Sequence, residues 1–298
     1  MRVYNFGSIN VDYVYEVEEI VKNGETISSN KQTEFVGGKG LNQSISLAKA
    51  GVEVEHVGVV GEKDKQLLAA LEAVGVSTKF VKRITDLSGH AIIQVDKKGN
   101  NAIIVFPGAN NCLDKNYIDE VFKNISSEDI VLLQNEVSNV DYIVEKSYEN
   151  GNRVYLNPSP FTDALSKVDF NKVHCLLINE IEGETITQEK NPEQICKKLI
   201  QNYHNLNVIL TLGKKGAMFY NSTCTEKHDA FITEVVDTTA AGDTFTGYFI
   251  ANFLDDKKIK DCLKIACLAS SCAVSKKGAS DSIPFLAEVK EKLAAIEN

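Results

Sequence analysis

No stretch of this chain carries the eighteen or so consecutive apolar residues that a membrane-spanning helix needs. The opening Met1-Arg2-Val3-Tyr4-Asn5-Phe6-Gly7 reads as a strand entering a turn, without the apolar region of a signal peptide. No block of Lys or Arg stands out, and 41 acidic against 32 basic residues leave a net charge of −9. Neither a nucleic-acid surface nor a membrane surface is expected to be the main function. A small anionic ligand fits that charge, because backbone N–H groups bind phosphate without net positive charge. The seven cysteines (Cys112, Cys175, Cys196, Cys224, Cys262, Cys267 and Cys272) form no CxxC pair. The last three are spaced five apart, so each step on a helix turns them by about 140° and they share no face. Buried or half-buried thiols in a reducing cytosol are expected, and with them a soluble cytoplasmic protein. The five histidines, His56, His90, His174, His204 and His228, show no ligand-like spacing. No GxxxxGK[ST] occurs and no GxGxxG follows the first strand, which removes a P-loop enzyme and an NAD-binding dehydrogenase.

What is present is a globular composition, 43% hydrophobic and 24% charged over 298 residues, enough to hide about three-quarters of the unfolded surface. Short apolar strands are predicted at 3–6, 54–60, 130–134, 153–156, 175–178 and 208–212. Helical patterns fall between them at 42–50, 65–73, 137–149 and 192–203, and the last sixty residues turn to helices at 242–254, 259–274 and 286–296. Continuously apolar strands separated by helices predict an α/β fold with a mostly parallel sheet covered on both faces. Two segments break the alternation: 12–35 carries little helical signal, and 91–106 reads as a hairpin turning through Asp96-Lys97-Lys98-Gly99-Asn100. Both hairpin arms are apolar at consecutive positions, so both faces want cover. A small separate sheet that closes over a site and pairs with another subunit is expected, rather than an extension of the main sheet.

Two glycine clusters carry the chemistry. In Gly37-Gly38-Lys39-Gly40-Leu41-Asn42-Gln43, glycines that permit positive φ and close ligand approach lead into a helix with Leu41, Ile45 and Ala48 on its inner face. Lys39 and Asn42, three apart, face one ligand, the Asn amide offering a donor and an acceptor to sugar hydroxyls. An ordinary glycine-rich turn would look the same. In Asp237-Thr238-Thr239-Ala240-Ala241-Gly242-Asp243, small residues precede a helix and let N–H groups converge on an anion at its positive end. Asp243, one residue into that turn, is awkward beside an anion unless it accepts a hydroxyl proton as an oxygen attacks phosphorus. A plain helix-start carboxylate is the alternative. Asn10 and Asp12 lie on one side of an extended segment after the first strand. Glu182, in Asn179-Glu180-Ile181-Glu182, stands at a strand end suited to holding a water of hydrated Mg²⁺. Thr211-Leu212-Gly213-Lys214-Lys215-Gly216 lines a nucleotide pocket or forms a hairpin turn.

Together the clusters are more specific than either alone, and the chain resembles the ribokinase (PfkB) family of sugar and nucleoside kinases. Residues 37–51 look like its first signature and 237–249 like its second. GSINVD at 7–12, PGANN at 107–111, LNPSP at 156–160, NEIEGE at 179–184 and KKGAS at 276–280 extend the likeness along the whole chain. The resemblance implies a single domain over 1–298, a Rossmann-like three-layer α/β/α sandwich with a small β-sheet lid from segments of about 12–36 and 89–107. It implies an ATP-dependent sugar kinase that phosphorylates O5 of D-ribose, with deoxyribose, a hexose or a nucleoside as rival substrates and a non-catalytic sugar sensor as the rival class. By the same resemblance Asn10, Asp12, Gly38, Lys39, Asn42 and Glu136 bind the sugar. Asp243 is the base, and Ala240, Ala241 and Gly242 form the anion hole. Asn179 and Glu182 position Mg²⁺ and phosphates, while Thr211 and Gly213 line the nucleotide pocket. A K⁺ site takes oxygens of Asp237, Thr239, Ala273, Lys276, Gly278 and Ser282, and a homodimer forms through the lid. One departure is Cys267, where some members carry a histidine near the adenine; core packing accounts for it equally.

Overall fold

The computed structural model describes residues 1–297, Ala164 without its side chain. In β1 (Val3–Phe6) successive side chains point to opposite faces, so Val3 enters one core cluster while Tyr4 and Phe6 enter another. The chain continues through β2 (Asn10–Glu16), β3 (Lys31–Gly37), α1 (Lys39–Lys49), β4 (Val54–Gly61), α2 (Lys65–Glu72) and β5 (Ser77–Ile84). Next come β6 (Gly89–Val95), β7 (Asn101–Phe106), α3 (Lys115–Phe122), β8 (Ile130–Gln134), α4 (Val140–Glu149) and β9 (Arg153–Asn157). Then follow β10 (Cys175–Asn179), α5 (Glu180–Thr187), α6 (Pro192–Asn202), β11 (Asn207–Thr211), β12 (Ala217–Tyr220) and β13 (Thr225–His228). The last helices are α7 (Ala241–Leu254), α8 (Ile259–Val274) and α9 (Leu286–Glu297).

Among the described residues one sheet runs β13-β12-β11-β10-β9-β8-β1-β4-β5, parallel except for its β12 and β13 edge. Val3, Leu132 and Leu177 face a core built with α1, α2, α7, α8 and α9. Val131, Leu133 and Leu176 face one built with α3, α4 and α6. A sheet buried on both faces needs strands that are apolar throughout, and IVLL of β8 and CLLI of β10 supply them. This is the expected three-layer architecture. From β1 the chain builds outward to β4 and β5 on one side, then crosses to β8 and onward on the other. The β1–β8 boundary is therefore the switch point at whose carboxyl ends a ligand crevice opens.

A second sheet has the order β3-β2-β6-β7, with β2 and β6 parallel and both hairpins antiparallel. The 91–106 hairpin belongs to it and does not extend the main sheet. Side chains alternate along β7, so Ile103 and Val105, 52% and 57% exposed, lie on one side and Ile104 and Phe106, 66% and 48% exposed, on the other, and neither side is fully covered among the described residues.

Some elements escaped the sequence reading. The helix predicted at 137–149 starts at Val140 because Asn139, at φ 60°, turns the chain in the left-handed region first. α3 and α5 were not predicted, α5 burying only Glu182, Gly183 and Thr187 and so showing no apolar period; β5 mixes exposed and buried positions, β12 is only four residues long, and β13 alternates exposed and half-buried ones. Cys112 is exposed, unlike the buried or half-buried state expected of it, because it sits on a surface 3₁₀ turn. Cys262, Cys267 and Cys272 share no helix face yet are all buried, since α8 is enclosed by α7, α9, β12 and β13. Among the described residues no helix is long and apolar enough to cross a membrane.

Candidate active site

A cleft of about 1220 Å³ opens at the carboxyl ends of the main strands and under the second sheet. Its floor depends on how closely α1 approaches β1. Gly40 sits against the chain just after β1, where a Cβ on Gly40 would come within 2.4 Å of Gly7 backbone atoms. Gly38 precedes α1 at φ 93°, a conformation that favours glycine. This turn places Lys39 and Asn42 in the cleft, with Asn10 and Asp12 entering from β2 and Glu136 from the loop after β8. Asn10 is oriented by Asn110, whose Nδ2 donates to Asn10 Oδ1 at 2.7 Å while its own Oδ1 accepts from Ile9 N at 3.0 Å. Glu136 accepts from the Ser8 hydroxyl and from Lys39 N at 3.0 Å.

Four carboxylates surround one lysine. Burial works against the Lys39 charge, but Asp243, Glu136, Glu182 and Asp12 outweigh it and hold its pKa above the ordinary range. Burial raises the Glu136 carboxyl, and Lys39 with the two hydrogen bonds returns only part of that. Burial and then Glu136 push Asp12 up to about 6 against the pull of Lys39. Such a group of acceptors and one cation matches a neutral ligand rich in hydroxyls.

The opposite wall is the start of α7. Ala240 takes a left-handed conformation (φ 59°, ψ 9°) at the N-cap, and its carbonyl accepts from Thr244 N and Thr244 Oγ1, each at 2.8 Å. A left-handed residue followed by helical ones turns successive N–H groups toward one point, and first-turn donors have no intrahelical acceptor. Ala240, Ala241, Gly242 and Asp243 all line the cleft. Asp243 is buried: Oδ1 accepts from Gln43 Nε2 at 2.9 Å and Oδ2 from Asn42 Nδ2 at 3.1 Å. Asn42 Oδ1 is buried with no partner among the described residues. Ser46 Oγ donates to Thr244 O at 3.0 Å, joining α1 to α7 across the two walls of the cleft.

Asn179 and Glu182 form a reciprocal capping box at the start of α5, Asn179 Oδ1 accepting from Glu182 N at 2.9 Å and Glu182 Oε2 from Asn179 N at 3.0 Å. Both also line the cleft, so helix start and ligand wall are one feature. Thr211 lines it too; Gly213 does not, and instead opens the tight turn between β11 and β12. Burial works to raise the Asp237 carboxyl, yet bonds from Thr239 Oγ1, Thr239 N and Gly278 N outweigh it and set the pKa below the usual range. Asp237, Thr239 and Gly278 thus meet at the cleft edge. Ala273, Lys276 and Ser282 are not on its wall; the Ala273 carbonyl accepts from Lys276 N at 3.0 Å in the turn that leads there. Cys267 is buried in the core and stands off the cleft wall, which favours packing.

The sequence reading assigned nothing to Asn110, Gln43 or Gln134. The first two lie inside the PGANN and GGKGLNQ segments, and Gln134 was only the last residue of a predicted strand. A lone amide ending an apolar strand at its carboxyl end was the available signal.

Comparison with known proteins follows the same lines. The model of the pfkB family carbohydrate kinases matches residues 2–286. The chain is 32% identical to a ribokinase of Haemophilus influenzae over 96% of each chain. It is 33% identical to a ribokinase of Lactococcus lactis over 99% of this chain and 98% of that one. It superposes on Arabidopsis thaliana ribokinase, solved with ribose and ATP, with a TM-score of 0.87 at 30% identity and 98% coverage of both.

Proposed function

Because the chain belongs to the pfkB family of carbohydrate kinases, it is a phosphotransferase acting on a sugar hydroxyl, and we propose that it transfers the γ-phosphoryl group of ATP to O5 of D-ribose. The observation that carries this reading is Asp243: a buried carboxylate in the first turn of α7, held through both oxygens, beside an Asn42 oxygen with no partner among the described residues. ATP and ribose as the substrate pair rest on the bound ligands of the Arabidopsis ribokinase and on the hydroxyl-binding character of the cleft.

In this reading Asn10, Asp12, Gly38, Lys39, Asn42 and Glu136 hold the pentose so that O5 points at Asp243. Asp243 accepts the O5 proton as that oxygen attacks phosphorus. The N–H groups of the 240–242 turn, at the positive end of α7, stabilise the charge on the transferring phosphoryl group. Thr211 and Gly213 belong to the nucleotide side. The second sheet acts as a lid that excludes water and limits ATP hydrolysis.

Among the described residues no three His, Cys, Asp or Glu side chains form a metal cluster. Mg²⁺ keeps most of its waters and relies on substrate phosphates with one or two carboxylates. Glu182 and Asn179 would hold it, and when bound it supplies charge neutralisation on the phosphates. K⁺ would be held by oxygens of Asp237, Thr239, Ala273, Lys276, Gly278 and Ser282, a hard all-oxygen set. The bonds that Asp237 accepts from Thr239 N and Gly278 N already draw that edge together. A homodimer through the lid is supported by exposed Ile104 and Phe106, which share the side of β7 opposite the cleft-lining Ile103 and Val105, and a reducing, cytoplasmic setting suits the free thiols.

ADP release from Mg²⁺-ATP, measured with D-ribose, 2-deoxyribose, fructose and adenosine, each with and without K⁺, tests the reading. Ribose-dependent turnover that rises with K⁺ is expected. Preference for another acceptor contradicts the ribose assignment, and ribose binding without turnover on any of the four contradicts a catalytic role.

A further inference from the structure

Behind Asp243 lies a buried chain of amides that the reaction as described does not use. Gln43 Nε2 donates to Asp243 Oδ1 at 2.9 Å, and Gln134 Nε2 donates to Gln43 Oε1 at 2.7 Å and to Asn5 Oδ1 at 3.0 Å. Asn5 Nδ2 donates to the Gly40 carbonyl and to Ser44 Oγ, both at 2.8 Å. Ser44 Oγ meets His56 Nδ1 at 2.8 Å, and His56 Nε2 meets the Gly7 carbonyl at 3.1 Å. Asn5, Gln43, Ser44, His56 and Gln134 are all buried.

The direction of every bond in this chain is fixed by its ends. An ionised carboxylate and the Gly40 and Gly7 carbonyls only accept. Gln43 must therefore turn its NH₂ to Asp243 and its oxygen to Gln134, and Asn5 must turn its NH₂ to Gly40 and its oxygen to Gln134. His56 must carry its proton on Nε2, so Ser44 donates to Nδ1. Gln134 is left facing two oxygens and gives a hydrogen to each. Its own Oε1 is then buried without a partner among the described residues. Half a turn of the Gln134 amide would set that oxygen against two others. An orphaned buried acceptor costs stability, and here it accompanies a network with one permitted polarity.

We propose that Gln134 is a positioning residue for the reaction. By donating to Gln43 Oε1 it anchors the amide whose Nε2 holds Asp243 Oδ1, so that the carboxylate presents the same face to the sugar hydroxyl. Without it, the Gln43 amide keeps its NH₂ toward Asp243 Oδ1 and Asn157 Oδ1 but loses the donor that anchors its oxygen, so it shifts and carries the carboxylate out of the attacking geometry. The inference rests on Asp243 as the base.

Two variants test it in the full-length enzyme with ribose and Mg²⁺-ATP. Gln134→Met keeps the volume and removes the donor. Its kcat is expected to fall between about 10- and 100-fold, the scale of a misplaced catalytic group, with KM for ribose within about twofold because no sugar-facing residue changes. Gln134→Glu separates positioning from bulk. Neutral, the introduced carboxyl still donates one hydrogen to Gln43; ionised, it has none. Turnover near that of the parent at acidic pH, with a steeper alkaline fall than the parent shows, is expected. Parental kcat in Gln134→Met, or parallel pH profiles in Gln134→Glu, overturns the proposal. So does the loss of ribose-induced thermal stabilisation in either variant, which would make Gln134 a structural core residue. Asp243→Asn, run alongside, separates the two levels: if it keeps turnover the base assignment fails, and if it alone loses turnover only the role of Gln134 does.

Discussion

Burial and the neighbouring Glu136 carboxylate push Asp12 up to about 6, with Lys39 opposing, so this group binds a proton more tightly folded than unfolded. Its favourable contribution to stability is complete below its unfolded value near 4 and is gone once pH rises through about 6. At neutral pH the ionised Asp12 costs up to about 3 kcal/mol. Asp12→Asn is therefore expected to melt several degrees higher than the parent at pH 7.5. The gap should close as the pH falls toward 4, as differential scanning calorimetry at several pH values would read. The same variant should bind ribose more weakly, because an amide offers fewer acceptor positions than a carboxylate. In the parent, KM for ribose should rise as the pH drops through about 6. Equal melting temperatures at both ends of that range would contradict the electrostatic account. His56, by contrast, is pushed down to about 4 by burial, with its bond to Gly7 opposing, and stays neutral through this window.

At the scale of elements, the site depends on α1 lying against the end of β1 and α7 lying against α1. Gly40→Ala would put a methyl group within 2.4 Å of Gly7 backbone atoms and 2.3 Å of Ser8 N. Since both sides are backbone, α1 must shift, and it carries Lys39, Asn42 and Gln43 with it. We expect a loss of about 1–3 kcal/mol in stability and at least a tenfold fall in kcat/KM for ribose, measured by urea unfolding and steady-state kinetics. Unchanged kinetics would show that the α1 register is not critical. The elements around this junction were legible in the sequence because their signals are local. β8, β10 and β11 carry short unbroken apolar runs, β1 is interrupted only by Asn5, and the glycine clusters sit where helices begin. Asn110 and Gln134 were not legible because their importance lies in partners about 100 and 129 residues away, Asn10 and Asn5. No local period marks such a pairing.

For the whole molecule, the second sheet leaves one apolar face uncovered. Among the described residues Ile104, 66% exposed, and Phe106 stand on the side of edge strand β7 away from the cleft-lining Ile103 and Val105, and such a face calls for a partner. Light scattering should find the parent as a dimer and Ile104→Asp shifted toward monomer; a monomeric parent would contradict pairing through this face. Hairpin strands and their consecutive apolar residues were readable from sequence, but what covers them was not, because that surface belongs to no element of the same chain. The account as a whole turns on Asp243. The most direct test sets the parent beside Asp243→Asn and measures ribose-dependent ADP release together with ribose binding by calorimetry. The account predicts that turnover falls by about 10²- to 10⁴-fold, the range for a lost general base, while ribose affinity changes by no more than a few-fold. Turnover near the parental level in Asp243→Asn would contradict it.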